Sequence, residues 1–511
     1  MRITQAVSGT QGVSAAQVGM ATELNVELAV ALNFSVPTGI VPNDLLVAVR
    51  GADQRSVDAG LAAVDLALTA ATDAGRTGAG FGNAPPPRTV RSAAQLAPDA
   101  ALVLLSVPGP AVLGEAMDAI ESGRHVMIFS DNVPVEHEIA LKDAAAKAGV
   151  MVMGPDCGTA VIGGVGLGFA NVLSHSAAAG TRVGVIAASG TGAQQLTCLL
   201  DEAGVAISQV IGLGGRDLSE RVGGRSALAA LELLERDPNT GHIVLISKPP
   251  HLATGKRVTE AALTLATPVT PILLGPGQPD ISSAAERVLA TLGIRVPEWP
   301  CWSPPKPLPS NGSGDHGGAL RGLFSGGTLA DEAMLVIQEA LGTGIRSNIP
   351  LRPELGLPAE ALGQVLPKLA GLGTVIVDLG DDRFTSGRPH PMIDPTLKLE
   401  LLADQADDPQ VRVVLLDVVL GFCAEADPAA LLAPAIQQVL AVANTADRPL
   451  DVVVSLCGSA GDPQDRDRQA AELVAAGAQV FLSNAAAARA AAAIAIGSAA
   501  IGSADPTPRE R

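Results

Sequence analysis

Short apolar runs without polar alternation recur along the chain, and each is followed by apolar positions at helical spacing. The runs are LVLLSV (102–107), HVMIFS (125–130), VMVMG (150–154), RVGVIAAS (182–189), HIVLISK (242–248), VTPILLG (269–275), TVIVDLG (374–380), VRVVLLDV (411–418), DVVVSLCG (451–458) and QVFLS (479–483). Unbroken Val, Ile and Leu belong to strands buried on both faces. Such strands alternating with helices predict parallel sheets in doubly wound α/β domains. The expected fold class is therefore α/β, with several doubly wound, mostly parallel-sheet domains behind a small N-terminal α/β module.

Punctuation sets the expected boundaries. Residues 1–80 mix helical and strand patterns: VSAAQVGMA, a helix from Glu23 to Leu32, the strand LLVAVRG and a long Ala/Leu-periodic helix. A Gly/Pro-rich hinge follows at 78–87, and a Pro/Gly/Ser-rich linker occupies 299–320. The segment 347–358 reads as a further irregular connection. Between the breaks three domains are expected, at 96–175, 178–298 and 321–490.

Charge and composition narrow the partners. The 52 acidic against 34 basic side chains give a formal net charge of −18, which argues against nucleic acid or an anionic membrane. Aromatics are 2% with no Tyr, so no base-stacking platform is expected. Five cysteines without a C-x-x-C pair, and seven histidines never at ligand spacing, predict neither a disulfide framework nor a metal site. The first residues lack a basic region followed by an apolar core, and the Ala-rich stretch Asn484–Ala500 is broken by Arg489 and Gly497. A cytoplasmic protein is expected.

Ligands of open α/β sheets bind beyond the carboxyl ends of strands, often at a helix N-terminus, so the strand-to-helix turns are where chemistry is sought. In AASGTGAQQL, Ser189, Gly190, Thr191 and Gly192 form a tight turn whose amides point outward at a helix's positive end. A plain Ser N-cap has the same pattern. A second copy, LFSGGTLADEA, places Ser325, Gly326, Gly327 and Thr328 at the start of a helix in another domain, as if two helix dipoles faced one anion. GPDCGTAVIGGVGLGFAN (154–171) is richer in glycine than one turn requires, which suits backbone approached by a ligand or a plain crossover. IGLGGRDLSERVGG (211–224), with Gly214 and Gly215, could wrap a phosphate. VDLGDDRFTSGRPHPMID (377–394) carries Asp381, Asp382, Arg383, Arg388, His390 and Asp394; its arginines suit bidentate contacts to carboxylate or phosphate, or mutual ion pairs in a solvated loop. No G-x-x-x-x-G-K-[ST] or G-x-S-x-G motif exists. Cys157 sits in a turn, where a buried structural thiol is the expected state.

The order of motifs is similar to a known family. SVPGP (106–110), FSDNVP (129–134), GPDCGT (154–159), IAASGTG (186–192), GLGGRD (212–217) and RDPNTGHIVLIS (236–247) run as in the α subunit of succinyl-CoA synthetase. The segment 377–422 looks like the carboxy-terminal ligase domain of its β subunit, fused behind. This fusion, with VSAAQVGMATELNVEL and GRPHPMIDP, resembles the FdrA family across nearly the whole chain. The resemblance implies a succinyl-CoA synthetase-like fold: a CoA-binding-like domain at 96–175, with Pro108, Asn132, Pro155, Cys157 and Gly158 as the CoA-like site, and ligase-like domains at 178–298 and 321–490.

The departures are chemical. Where the synthetases carry a catalytic His in a loop after the strand equivalent to VTPILLG, this chain has PGQPDISSAAERVL (276–289) without one. Where their orienting glutamate should fall, Lys248-Pro249 stands. What survives is a phosphate-facing cradle, and the resemblance implies a subunit of an oxamate carbamoyltransferase acting with partner chains. On that reading Ser189, Gly190, Thr191 and Arg388 are catalytic, while Gly192, Gly214, Gly215, Ser325–Thr328, Asp381, Arg383 and His390 bind substrate or phosphate. No cofactor is required, although CoA is possible, and homo- or hetero-oligomers are expected. The alternatives are a nucleotide-dependent acyl-CoA ligase with a partner ATP-grasp chain, and a non-catalytic scaffold or regulatory subunit.

Overall fold

The computed structural model describes Val7, residues 9–21, 44–76, 87–173, 182–303, 317–362, 367–385 and 388–497, and scattered positions between 25 and 41. Much of the expected Glu23–Leu32 helix, most of the 78–87 hinge and residues 304–316 of the linker lie outside the described residues. The chain divides into two compact units, one of residues 1–93 with 385–389, the other of residues 94–384 with 390–511.

In the first unit, β1 (Val13–Met20) pairs antiparallel with β2 (Leu45–Gly51), and α1 (Gln54–Arg76) follows. Alternation decides the state of VSAAQVGM: Ala16 and Val18 turn inward with Val7 and Val64, so the segment is a strand.

The second unit holds three sheets. The smallest, β3 (Leu102–Leu105), β4 (His125–Ile128) and β5 (Val152–Met153), is parallel, with α2 (Val112–Glu121) and α3 (Val135–Ala148) as crossovers. Next come the hairpin β6 (Thr159–Ile162) and β7 (Val165–Gly168), then β8 (Val183–Ala187), α4 (Gly190–Glu202), β9 (Ile207–Gly212), α5 (Arg225–Arg236), β10 (His242–Ser247), α6 (Leu252–Ala262), β11 (Val269–Leu273) and α7 (Ile281–Thr291). They form one sheet in the order β11-β10-β8-β9-β6-β7. The expected 96–175 boundary is corrected here, because Val161 pairs with Val210 and carries the hairpin onto the following domain's sheet. The glycines of 158–168 serve this hairpin: Gly163 and Gly164 turn it at positive φ, and Gly168 passes against the Gly158 carbonyl. No ligand is needed to account for them.

The third sheet contains β12 (Cys301–Trp302), β13 (Ala319–Phe324), β14 (Arg346–Ser347), β15 (Val375–Asp378), β16 (Val411–Val419), β17 (Asp451–Cys457) and β18 (Gln479–Phe481), in the order β12-β18-β17-β16-β13-β15-β14. Its helices include α8 (Gly327–Leu341), α9 (Thr396–Asp404), α10 (Pro428–Thr445), α11 (Arg466–Ala475) and α12 (Asn484–Ile496). The expected linker thus begins with a strand: β12 pairs antiparallel with β18, bringing Cys301 against Phe481. All ten apolar runs are parallel strands, and the consecutive residues Val244, Leu245 and Ile246, Val375, Ile376 and Val377, and Val414, Leu415 and Leu416 are all buried, as burial on both faces requires. No helix among the described residues is long and apolar enough to cross a membrane.

Both larger sheets reverse their strand order at one strand. β8 lies between β9 and β10, and β13 lies between β15 and β16. Such switch points leave a crevice at the carboxyl ends of the strands. The turns leaving β8 and β13 are Ser189–Gly192 and Ser325–Thr328.

Candidate functional site

Ser189 follows β8 in extended conformation and caps α4, its Oγ accepting the Gly192 N–H at 3.0 Å. The same hydroxyl donates to Thr328 Oγ1, in the first turn of α8, at 2.5 Å. The two turns therefore meet. Their glycines make the approach possible: a side chain at Gly192 would lie 3.0 Å from Thr328 Cγ2, and one at Gly326 would lie 2.7 Å from Thr191 Cγ2. Two helix N-termini, each with first-turn amides that have no intrahelical acceptor, converge at one place.

The two ends are finished differently. Ser325 does not cap α8; Asp417, from the neighbouring strand β16, accepts the N–H groups of Ser325 and Gly326 at 2.7 and 2.9 Å. Lys398 Nζ donates to the same carboxylate at 2.6 Å, with both side chains buried. The expectation that the Ser325 and Gly326 amides hold phosphate is corrected by this: a protein carboxylate already takes both. The amides of Gly190, Thr191, Gly327 and Thr328 have no hydrogen-bond acceptor among the described residues.

Lys248 supplies the cation. It stands at the carboxyl end of β10, and its Nζ would lie 2.9 Å from a side chain begun at Gly327. An ammonium beside a helix N-terminus is electrostatically unfavourable on its own. Asp331 pairs with it at 3.2 Å, and Asp378, at the end of β15, approaches the same point with Oδ2 at 2.6 Å. Burial works against the Lys248 charge, but Asp331 and Asp378 outweigh it and hold the ammonium above its ordinary range. The Lys248 side chain keeps 39% of its surface open, so solutes reach it.

The carboxyls are pushed the other way. Burial raises Asp378 to about 7, with Lys248 opposing and Asp331 and Asp381 assisting. Burial also raises Asp331, against the pull of Lys248. Asp156 is raised to about 6 by the protein crowded around it and then by Asp382 and Asp131, while Lys248 and Arg216 oppose. Its residue remains exposed at the rim. Groups poised near neutrality beside a cation and two helix ends form a pattern common at functional sites.

The loops expected to form the CoA-like site are stitched together at the ends of β3, β4 and β5. Ser130 Oγ accepts the Val107 N–H at 3.0 Å, the Ser130 carbonyl accepts Asp156 N–H at 3.0 Å, and the Ile128 carbonyl accepts Cys157 N–H at 3.0 Å. Pro108 and Asn132 lie exposed on this rim. Asn132 and Asp156 hold φ of 52° and 55°, a conformation costly outside glycine. Cys157 is buried, and burial pushes its thiol up to about 12, so it is an inert structural residue. Pro155 and Gly158 bracket it, Gly158 packing on Phe169.

Gly214 and His390 have structural roles of their own. The Gly214 backbone runs against the Pro155 carbonyl at φ 80°, and Gly215 lies exposed near Asp156. The helix this turn feeds, α5, is already capped: Asp217 accepts the Ser226 and Ala227 N–H groups at 3.0 Å each. Its carboxylate fills the place expected for phosphate. His390 accepts the Met392 N–H at Nδ1, and burial drives it down to about 4, so it is neutral with its proton on Nε2 and cannot act as an anion's counter-charge. Asp381 accepts the Arg383 N–H at 3.0 Å, leaving the Arg383 side chain exposed, and Arg388 belongs to the first unit.

Lys248, Asp331, Asp378 and Asp156 are the site residues that motif reasoning passed over. For Lys248 and Asp378 the available signal was a single charge closing a mostly apolar strand, HIVLIS-Lys248 and VIV-Asp378.

Residues 323–494 match the CoA-ligase family, and residues 1–84 match the AllF heavy metal-associated domain. The uncharacterized protein YahF of Escherichia coli (strain K12) is 34% identical over 493 residues, covering 93% of this chain and 92% of that protein. The alpha subunit of an ADP-forming succinate–CoA ligase from Methanothermobacter thermautotrophicus is 30% identical over 146 residues, covering 28% of this chain and 47% of the subunit. Among solved structures, a dinucleotide-forming acetyl-coenzyme A synthetase of Ca. Korarchaeum cryptofilum covers 81% of this chain and 86% of its own at 15% identity and a TM-score of 0.30. A heavy metal does not suit the donors of residues 1–84, which contain neither cysteine nor histidine, the ligands soft cations select.

Proposed function

The chain belongs to the family of YahF, of the FdrA type within the succinyl-CoA synthetase-like superfamily, and from that premise we propose that it is a transferase subunit acting on a small acyl phosphate, carbamoyl phosphate foremost. The observation that carries this reading is the meeting of the Ser189–Gly192 and Ser325–Thr328 turns beside Lys248. The phosphate group sits against the first-turn amides of α4 and α8, with Lys248 as its counter-charge. As the acceptor nitrogen bonds to the carbonyl carbon, the carbon–oxygen bond to phosphate breaks. The two helix ends then stabilise the charge that gathers on the leaving phosphate.

No covalent histidine is needed, because an acyl phosphate is already activated and positioning supplies much of the rate. That suits the loop at 276–280, which has no histidine, and a neutral, hydrogen-bonded His390. The acceptor is a small amide or amine of the oxamate class, and partner subunits complete the enzyme.

A second reading is favoured by the CoA-ligase match over residues 323–494: an acyl-CoA ligase whose partner chain supplies the nucleotide site. The loops bearing Pro108, Asn132 and Pro155 would then face CoA. Calorimetric titration of the chain with carbamoyl phosphate, phosphate and CoA separates the two. The transferase reading expects carbamoyl phosphate and phosphate to bind, and Thr191→Glu to abolish both. Tight CoA binding with no response to carbamoyl phosphate would establish the ligase instead. Binding that appears only with partner chains would favour a scaffold.

A further inference from the structure

We propose that Asp378 is the proton carrier of this site: it takes up a proton as an anion enters the crevice, and in acyl transfer it gives that proton to the departing phosphate. The proposal rests on the acyl-phosphate reading and assigns a residue that the turn motifs did not mark.

Asp378 closes β15, the neighbour of the switch strand β13, and is 6% exposed. Its backbone is pinned on both sides by Asn348, whose Oδ1 accepts the Asp378 N–H and whose Nδ2 donates to its carbonyl, each at 2.9 Å. Oδ1 accepts the Gly380 N–H at 2.9 Å. Oδ2 has no hydrogen bond among the described residues and is turned toward Gly327, the first residue of α8. Lys248 Nζ approaches the same point. A buried carboxylate oxygen thus faces the place where the helix end and the ammonium together attract an anion.

Two negative charges cannot share that place, and the carboxyl can take up a proton to relieve the conflict. The groups facing Asp378 decide how readily it does so. Lys248 and the Gly380 N–H favour the charged form, whereas burial, Asp331 and Asp381 oppose it. His390 presents Nε2 beside Gly380 but carries no charge. With the crevice empty these influences already leave the group near neutrality, where a general acid is most effective.

The step balances simply. The nitrogen–carbon bond forms, the carbon–oxygen bond to phosphate breaks, phosphate departs with the electron pair and the proton of Asp378, and the proton from nitrogen passes to water. In the reverse direction Asp378 takes that proton back from the attacking phosphate.

The test is calorimetric titration of the full chain with sulfate, an anion that does not titrate near neutrality, in buffers of different ionisation heat, with phosphate in parallel. At about pH 8 the wild type takes up close to one proton per anion, Asp378→Asn binds the anion with none, and Asp331→Asn keeps the uptake. In carbamoyl transfer to oxamate, with partner chains present, Asp378→Asn loses about 100-fold or more in kcat while phosphate affinity is kept or tightened. Should phosphate alone bind, the difference in uptake between wild type and Asp378→Asn is the readout. Should Asp378→Asn not fold, the wild type still decides, because anion binding without proton uptake overturns the assignment. Equal uptake in wild type and Asp378→Asn does so too, and both results leave the acyl-phosphate reading standing. If neither sulfate nor phosphate binds the wild type, the anion site itself is overturned, and this proposal with it.

Discussion

Ser189 and Thr328 are 139 residues apart in sequence, yet their hydroxyls share a hydrogen bond of 2.5 Å. Each opens a helix that leaves the switch strand of a different sheet. Two binding crevices that doubly wound domains would ordinarily present separately are thereby merged into one.

The merger depends on glycine at 326. A methyl group there would lie within 2.9 Å of three Thr191 atoms. Gly326→Ala is expected to destabilise the chain by about 1–3 kcal/mol through overpacking. Adding Thr191→Ala, which removes two of those atoms, should recover most of the loss. Denaturant unfolding of the two single variants and the double variant measures the coupling.

Lys248 is expected to govern anion affinity. Lys248→Gln should weaken phosphate binding by about tenfold or more, equivalent to about 1.4 kcal/mol, and should lower the melting temperature, because buried Asp331 and Asp378 lose their counter-charge. Isothermal titration beside a thermal melt checks both. Unchanged affinity would remove the lysine from the site.

Asp417 and Lys398 form a buried pair that also satisfies two amides of the second turn. Removing one partner leaves an uncompensated buried charge, at a cost of about 3–5 kcal/mol. Asp417→Asn and Lys398→Met should each lower stability on that scale in chemical denaturation. The double variant should lose less than the two losses added together.

His390 predicts an acid-side loss of stability. Its folded-state value is pushed from 6.5 down to about 4, so on acidification the unfolded chain takes up this proton first. The stabilisation is complete above 6.5, fades as pH falls toward 4, and levels off below. The stability of wild type relative to His390→Gln, followed by urea unfolding between about pH 8 and 4.5, should decline through that window. A constant difference would contradict the assigned neutral state.

Much of this architecture can be read from residue order. The ten apolar runs are strands because Val, Ile and Leu in succession have no solvent face to offer, and both S-G-[GT] turns open helices where such strands end. The hairpin at 159–168 and the two-residue strand at Cys301–Trp302 escaped because their pairing is set by the tertiary environment, with too few residues to show a period. The anion turns were overcounted for a related reason. A glycine turn looks the same whether it awaits a phosphate or is closed by the chain's own carboxylate; Asp417 is too far along the chain for local pattern to reveal it, and Asp217, though within its turn, reaches amides nine and ten residues on. Lys248 is the converse case: a lysine in place of an orienting glutamate reads as a loss until Asp331 and Asp378 are seen around it.

The short strand at Cys301–Trp302 changes what the 299–320 segment does. By Trp302 the chain has already joined the sheet of the domain that follows, and the Pro300 carbonyl accepts the Leu482 N–H at 3.0 Å. Gln195 donates to the Leu482 carbonyl at 3.0 Å, and Asn171 donates to Asp462 at 2.7 Å. A polypeptide cleaved between Ser303 and Gly317 retains every one of these attachments. The two halves therefore hold each other as the subunits of a heterodimer would, through an interface of their own and not only through the covalent link.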